Sequence, residues 1–338
     1  MRAVIYATSG GVDVLQLVDR PTVEPAPGEV RVRVVRSGIN PTDWKRRRSA
    51  TGPGLDFVEI VPNHDGAGVI DAVGADVSGL TVGDRVWVFL AQHGRPTGTA
   101  QEYTVLPVER VVRLPDSASS DVGASLGVPA LTAHRALTTS EDGPHRLHPG
   151  ALDGSAVLVA GGAGAVGNAA IQLARWAGAT VISTVSGPRK AELARAHHVP
   201  NYRDADVAAE VRDFIPGGVD TVVEVSPAEN LALDLAVIRG GGTISAYATD
   251  GGELVDVPIM ASMQHGLRLH FELLYNFAPA TLAAAVRDVA AAVESGNLAV
   301  GEEHGLPIHH YPVEHAADAH RAVQEGSVGK VLIDVAST

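Results

Sequence analysis

The chain has 338 residues, with 26 Lys and Arg against 39 Asp and Glu, a formal charge of -13, 14 His, 37 Gly and no cysteine. At about 150 residues per domain, this length holds about two domains with buried cores. Zero cysteine excludes disulfides, a thiolate nucleophile and every Cys-ligated zinc site, and the acidic balance argues against nucleic acid or an anionic membrane as the main partner.

The first residues lack a secretory pattern, because Ala3-Val4-Ile5-Tyr6 is too short an apolar run for a signal core. No stretch approaches the roughly 18 apolar residues of a membrane span. A cytoplasmic location is the expectation. The first 115 or so residues read as short β segments cut by Gly and Pro. Val30 to Val35 alternates apolar and basic residues, the period of a half-buried strand. Further strands are expected at 69–73, 85–89, 103–105 and 110–112, giving a twisted, partly closed β domain.

Near Ser119 the pattern changes. Residues 124–138 look helical, and 139–154 form a loop rich in Gly, Pro and His. From Ser155 the rhythm is strand, helix, strand: a buried strand at 155–160, a helix at 165–177, a second strand at 180–185 and a helix at 188–197. Later strands are expected at 219–224 and 243–246, with helical segments between them and a further strand at 268–273. Alternation of this kind implies a parallel sheet covered on both faces. The tail reads as a helix (279–295), a strand (307–310), a helix (313–325) and a last strand (330–335), and is expected to complete the first domain. The expected division is 1–123 with 276–338 against 124–275.

The sharpest motif is Gly162-Ala163-Gly164-Ala165-Val166-Gly167, which follows the apolar run Ala156 to Ala160 and opens an amphipathic helix. Between a strand and a helix, Gly-x-Gly-x-x-Gly reads as a dinucleotide site. Its glycines permit a tight turn, close approach of a pyrophosphate and close helix packing, while the helix N-terminus supplies N–H groups and a favourable dipole. An acidic residue at the end of the second strand would select NAD. Here that place carries Ser186, Arg189 and Lys190, with no acid before Glu192. A hydroxyl and two cations suit a 2'-phosphate, so NADP(H) is expected. The competing reading makes Arg189 and Lys190 solvated first-turn residues.

Several separated motifs extend this. They are Gly38-Ile39-Asn40-Pro41-Thr42-Asp43, the run from Asp65 to Gly74, Val82-Gly83-Asp84-Arg85-Val86 and Gly98 to Tyr103. Leu131-Thr132-Ala133, Asn201-Tyr202-Arg203 and Gly329-Lys330-Val331 follow in order. With them the chain resembles the medium-chain dehydrogenase/reductase superfamily, specifically the zinc-less quinone oxidoreductases related to zeta-crystallin. The resemblance implies an α/β protein: a GroES-like, partly closed β-barrel catalytic domain with an inserted Rossmann doubly wound parallel sheet. It implies a homodimer that uses NADPH, held in a cleft, to transfer hydride to quinones or α,β-unsaturated carbonyls. It implies that Asn40 and Asp43 lie near nicotinamide and substrate, and Thr132 beside the cofactor. Gly164, Ala165 and Val166 would meet the pyrophosphate, and Ser186, Lys190 and Tyr202 the 2'-phosphate. Glu224, Val225, Ala246, Tyr247, Phe271, Leu273 and Lys330 would line the rest of the cofactor site.

Three departures bear on the substrate. Ala165 replaces a usual Gly, Lys45 stands where many close relatives have Tyr, and Glu272 stands where some have Arg. The Asp43-Trp44-Lys45 run looks more like alkenal and enone reductases. His64 beside Asp65 is similar to a zinc-binding segment of alcohol dehydrogenases, but Gly38, Ile39 and Asn40 offer no thiolate, so no metal is expected and His64 reads as a polar cleft residue. Without a Lewis acid, hydrogen-bond donors must meet charge that develops on the substrate oxygen. Asn40 and Lys45 are the candidates. Lys45 equally reads as part of the solvated run Lys45 to Arg48, and Asn40 as a turn residue before Pro41. An enoyl-thioester reductase and a non-catalytic NADPH-binding module remain the alternatives.

Overall fold

The structure is a computed structural model that describes residues 1–49, 57–204 and 206–336. The chain divides into two compact units, Met1–Val128 with Pro307–Thr338, and Pro129–Leu306.

The first unit is built on a mixed sheet that is seven-stranded among the described residues. The alternation seen at 30–35 belongs to a longer strand, Glu29–Ile39, which pairs antiparallel with Asp65–Val73 and Tyr103–Pro107. Arg85–Val88 and Val111–Arg113 continue the sheet on one side. On the other side the tail strand Lys330–Asp334 pairs antiparallel with the end of Glu29–Ile39, Val331 opposite Ile39. The C-terminal tail therefore completes the N-terminal β unit. Val30, Val32, Ile70, Val86, Val88 and Leu106 fill one core, and Val34, Ile39, Val331 and Ile333 fill another. Two elements escaped the sequence pattern: the hairpin Arg2–Ile5 with Gln16–Asp19, and the helix Pro41–Arg48.

The second unit holds a parallel sheet, five-stranded among the described residues, in the order 268–271, 238–246, 219–224, 156–160, 180–184. The strand Ala156–Ala160 is buried at every position, as a strand covered on both faces must be. The helix Ala165–Trp176 buries Gly167 to Ile171, Leu173 and Ala174. The following helix stops at Leu193, four residues short of expectation, with His197 N–H bonded to Val181 O and His197 Nδ1 accepting from Val181 N–H. Those bonds draw the chain to the sheet edge, where isolated parallel bridges join Ile182 to His198 and Val185 to Asn201.

The helix expected over 124–138 spans Gly127–Leu137, and a separate short helix, Ser120–Gly123, precedes it. The return to the first unit comes at Pro307, not near 276. The helix Pro279–Glu294 stays with the second unit because it buries Ala284, Ala285, Val289, Ala292 and Val293. Its Asp288 accepts hydrogen bonds from His134 (2.7 Å), the Arg146 guanidinium (2.8 Å) and Leu147 N–H (2.8 Å). Among the described residues no helix is long and apolar enough to cross a membrane.

Candidate functional site

Parallel strands end on one edge of the second unit, where most of the residues expected to hold a dinucleotide lie, whereas Lys330 belongs to the first unit. The register sets Glu224 beside Ala246 and Ala246 beside Phe271, each the last residue of its strand. The chain leaves the Ala156–Ala160 strand for one neighbour, Thr180–Thr184, and later returns to the other, Val219–Glu224. Open α/β sheets bind ligands at such a reversal, beyond the carboxyl ends of the strands. The glycine loop leaves from one side of this point and Val225 from the other, and a Cβ on Gly161 would lie 3.5 Å from Val225 Cγ1.

Within the loop the glycines have separate physical duties. Gly161, just before the motif, takes a φ of 71°, which L side chains rarely adopt. A Cβ on Gly162 would lie 2.1 Å from Ser183 Oγ, and one on Gly167 would lie 2.5 Å from Gly161 O. Gly164 has more room, is exposed, and is the N-cap of the helix Ala165–Trp176 with no side chain capping it. The first helical N–H groups have no intrahelical partner, and the partly exposed Ala165 and Val166 carry two of them. Such an end accepts a phosphate without rearrangement.

Ser186 and Lys190 are half-buried beyond the second strand, and Tyr202 is 54% exposed with its N–H on Val185 O (3.1 Å). Arg189 departs from expectation. Its guanidinium is held by Glu302 (2.5 Å) and Glu192 (3.2 Å), whereas Lys190 has no carboxylate partner among the described residues. Glu224 is fully buried and accepts from Ser226 N–H and from Asn230 Nδ2 (3.0 Å), and burial pushes its carboxyl up. Thr132 is buried in its helix, and Tyr247 donates its N–H to Glu224 O (3.0 Å). Phe271 and Leu273 are exposed. With Arg135, His270, Glu272 and Phe277 they line a cavity of about 470 Å³. Burial, opposed only by Arg135, pushes the Glu272 carboxyl up to about 8.

The first unit gathers a second group. Asn40 is the N-cap of the helix Pro41–Arg48, with Pro41 in the first turn, and its N–H bonds Asp43 Oδ2 (2.7 Å). Asn40 Oδ1 accepts from Lys330 Nζ (2.7 Å), and Asn40 Nδ2 donates to Asp65 Oδ2 (2.7 Å). Both Asp65 oxygens accept from Val128 N–H (2.9 Å) at the start of the next helix. Asn40, Asp43, Asp65 and Lys330 are all buried. Burial lowers the Lys330 ammonium, and the charges of Asp65 and Asp43 oppose that. Lys45 stands outside this group, exposed, with Nζ 5.9 Å from the Trp44 ring centre.

His64 is fully buried rather than a cleft residue, and burial together with nearby cations pushes it down to about 3. Its Nε2 lies 3.9 Å from Asp43 Oδ1. Among the described residues no cluster of three or more His, Asp and Glu side chains is placed to hold a metal ion. Asp65 is the residue that sequence reasoning passed over as a functional group. It was visible as an acid opening an apolar strand, which calls for a buried partner. That partner, Lys330, lies far away in sequence.

Comparison with known proteins bears on both units. Residues 26–116 match the alcohol dehydrogenase GroES-like domain family, and residues 165–291 match the zinc-binding dehydrogenase family. The chain is 30% identical to a quinone oxidoreductase of Lama guanicoe, over 98% of this chain and 97% of that one. It is 34% identical to a 2-haloacrylate reductase of Burkholderia sp, over 79% of this chain and 78% of that one. Among solved structures, mycobacterial Rv1454c in complex with NADPH superposes with a TM-score of 0.80 at 27% identity, covering 98% of this chain and 99% of that one.

Proposed function

The chain belongs to the zinc-less, zeta-crystallin-like quinone oxidoreductases of the medium-chain dehydrogenase/reductase superfamily, and from that premise we propose that it is an NADPH-dependent reductase of quinones or α,β-unsaturated carbonyls. The observation that carries the reading is the uncapped helix N-terminus at the reversal of the parallel sheet, with Ser186, Lys190 and Tyr202 beyond the second strand. Ala165 and Val166 present N–H groups to the pyrophosphate, and Gly164, with no side chain, lets it come close. Lys190 supplies the charge for a 2'-phosphate, and Ser186 and Tyr202 supply hydroxyls. Glu224, Val225, Ala246, Tyr247, Phe271 and Leu273 border the remaining length of the cofactor. When bound, NADPH supplies the hydride.

On the acceptor side, Asn40 provides a hydrogen bond to the oxygen on which negative charge develops, as an oxyanion donor does. Asp43 holds the Asn40 backbone and so fixes the start of its helix. Lys45 is the second candidate donor, and its exposure suits the solvated reading equally. The relative that reduces a haloacrylate supports electron-poor alkenes beside quinones as acceptors. The protein is proposed to work in the cytoplasm as a homodimer, a state supported by the apolar side chains exposed between Ile259 and Leu273.

The test is NADPH oxidation with 1,4-benzoquinone, 9,10-phenanthrenequinone, a 2-alkenal and crotonyl-CoA. Turnover with a quinone or the alkenal supports the reading, and turnover with crotonyl-CoA alone supports an enoyl-thioester reductase. Tight NADPH binding with no turnover across the panel makes the chain a binding module. Lys45→Ala should lower turnover if Lys45 is a donor, and an unchanged rate removes it from the mechanism.

A further inference from the structure

Asn40 begins the helix Pro41–Arg48, and Asn is among the best residues for that place. Its carboxamide is also tied to the rest of the unit at both ends, by Lys330 Nζ on its oxygen and by Asp65 Oδ2 on its nitrogen, each at 2.7 Å.

We propose that Asp65 and Lys330 are positioning residues that clamp the Asn40 carboxamide and aim its second N–H at the carbonyl oxygen of the acceptor. The inference rests on the reductase reading and adds two residues to it. An ammonium only donates, so it must face the amide oxygen. Asp65 accepts from Val128 N–H on both oxygens, so it must face the amide nitrogen. Turning the amide over would set NH2 against ammonium and oxygen against carboxylate. The orientation therefore follows from the chemistry of its two partners.

An amide nitrogen carries two hydrogens, and Asp65 takes one. The other has no partner among the described residues. The group thus offers a donor, which matches a quinone or enone oxygen and the charge that grows on it.

The surroundings keep the clamp in place. Gly127 leaves room for Asp65 against the helix start, since a Cβ there would lie 2.1 Å from Asp65 Oδ1. Thr99 Oγ1 donates to Asp65 O (2.6 Å), and Ser37 bridges Thr99 (2.7 Å) to Asn63 (2.9 Å). The tail strand carries Lys330 to Asn40 through the register that sets Val331 opposite Ile39.

A double-mutant cycle tests this, using the whole protein with NADPH and 9,10-phenanthrenequinone. Asp65→Asn should lower kcat about ten-fold with the NADPH KM within about two-fold, and Asn40→Ala should lower kcat about a hundred-fold. If Asp65 acts through Asn40, Asp65→Asn should have no further effect on kcat in the Asn40→Ala background. Independent, multiplying losses would overturn the clamp, as would an unaffected Asp65→Asn. Lys330→Arg, which keeps the donor, should retain more of kcat than Lys330→Met, and equal losses would also overturn it. A second measurement needs no turnover. In protein labelled with nitrogen-15 asparagine, Asn40 should show one slowly exchanging amide proton that Asp65→Asn and Lys330→Met abolish. If the wild type is inactive with every acceptor, the reductase reading fails while this signal still decides the clamp, and an unchanged signal in both variants overturns it.

Discussion

Arg189 and Lys190 are adjacent cations after Gly187, but among the described residues only Arg189 is occupied by carboxylates, Glu192 and Glu302. Sequence pattern gave the two equal claims on a 2'-phosphate, because the pairing with Glu302 spans more than a hundred positions and leaves no local trace. A charge-assisted hydrogen bond contributes about 1.5–3 kcal/mol, which is about ten-fold or more in affinity. Lys190→Ala should therefore weaken NADPH binding about ten-fold or more and leave NADH binding nearly unchanged, as read by fluorescence titration. Arg189→Ala should change NADPH affinity by less than about three-fold, because its charge already has partners. Equal losses in the two variants would return Arg189 to the site. Asn40 carries the same lesson. Its identity and place before a proline were visible in the sequence, but its use depends on Asp65 and on Lys330, 290 positions away.

At the scale of elements, the strand–glycine loop–helix unit was legible because every determinant is local. An apolar run, glycines at fixed spacing and a helical period occur within about 25 residues. The end of the tail helix Pro279–Glu294 was legible, but its allegiance was not. That is decided by Asp288, which joins it to His134 on one helix and to Arg146 and Leu147 in the loop beyond. Burial pushes the Asp288 carboxyl up, and the hydrogen bonds from His134, Arg146 and Leu147 outweigh that and bring it from 3.8 to about 2. A folded pKa below the unfolded one gives stability that is full above about pH 4 and is lost as the pH falls towards 2. The melting temperature of the wild type should fall across that window. Asp288→Ala should cost about 3–5 kcal/mol near neutral pH, since it strips a buried carboxylate from its partners. The variant should also lose part of the acid-dependent slope. A variant as stable as the wild type would mean that the clasp does not hold the helix.

At the scale of the whole molecule, the discontinuous first unit was expected from the tail and was found in the pairing of Lys330–Asp334 with Glu29–Ile39. The point of return was not readable, because a helix with an apolar stripe can serve either unit and only its packing decides. The second unit leaves Ile259, Met260, Met263, Phe271 and Leu273 exposed, and the strand Arg268–Phe271 is the edge of its sheet. Exposed apolar side chains on an uncovered edge mark an association surface. Sedimentation should give twice the chain mass of 34.9 kDa, and Met263→Glu with Phe271→Glu should shift it to the monomer. A wild-type monomer would leave that surface without its proposed partner.

The glycine-loop site is proposed to take NADPH and pass its hydride to a carbonyl-conjugated acceptor. The decisive measurement is kcat/KM for NADPH and for NADH, with 9,10-phenanthrenequinone and a 2-alkenal as acceptors, followed by the absorbance of the reduced nicotinamide. Oxidation should require an acceptor and favour NADPH by about ten-fold or more. No acceptor-dependent oxidation, or NADH used as well as NADPH, would contradict it.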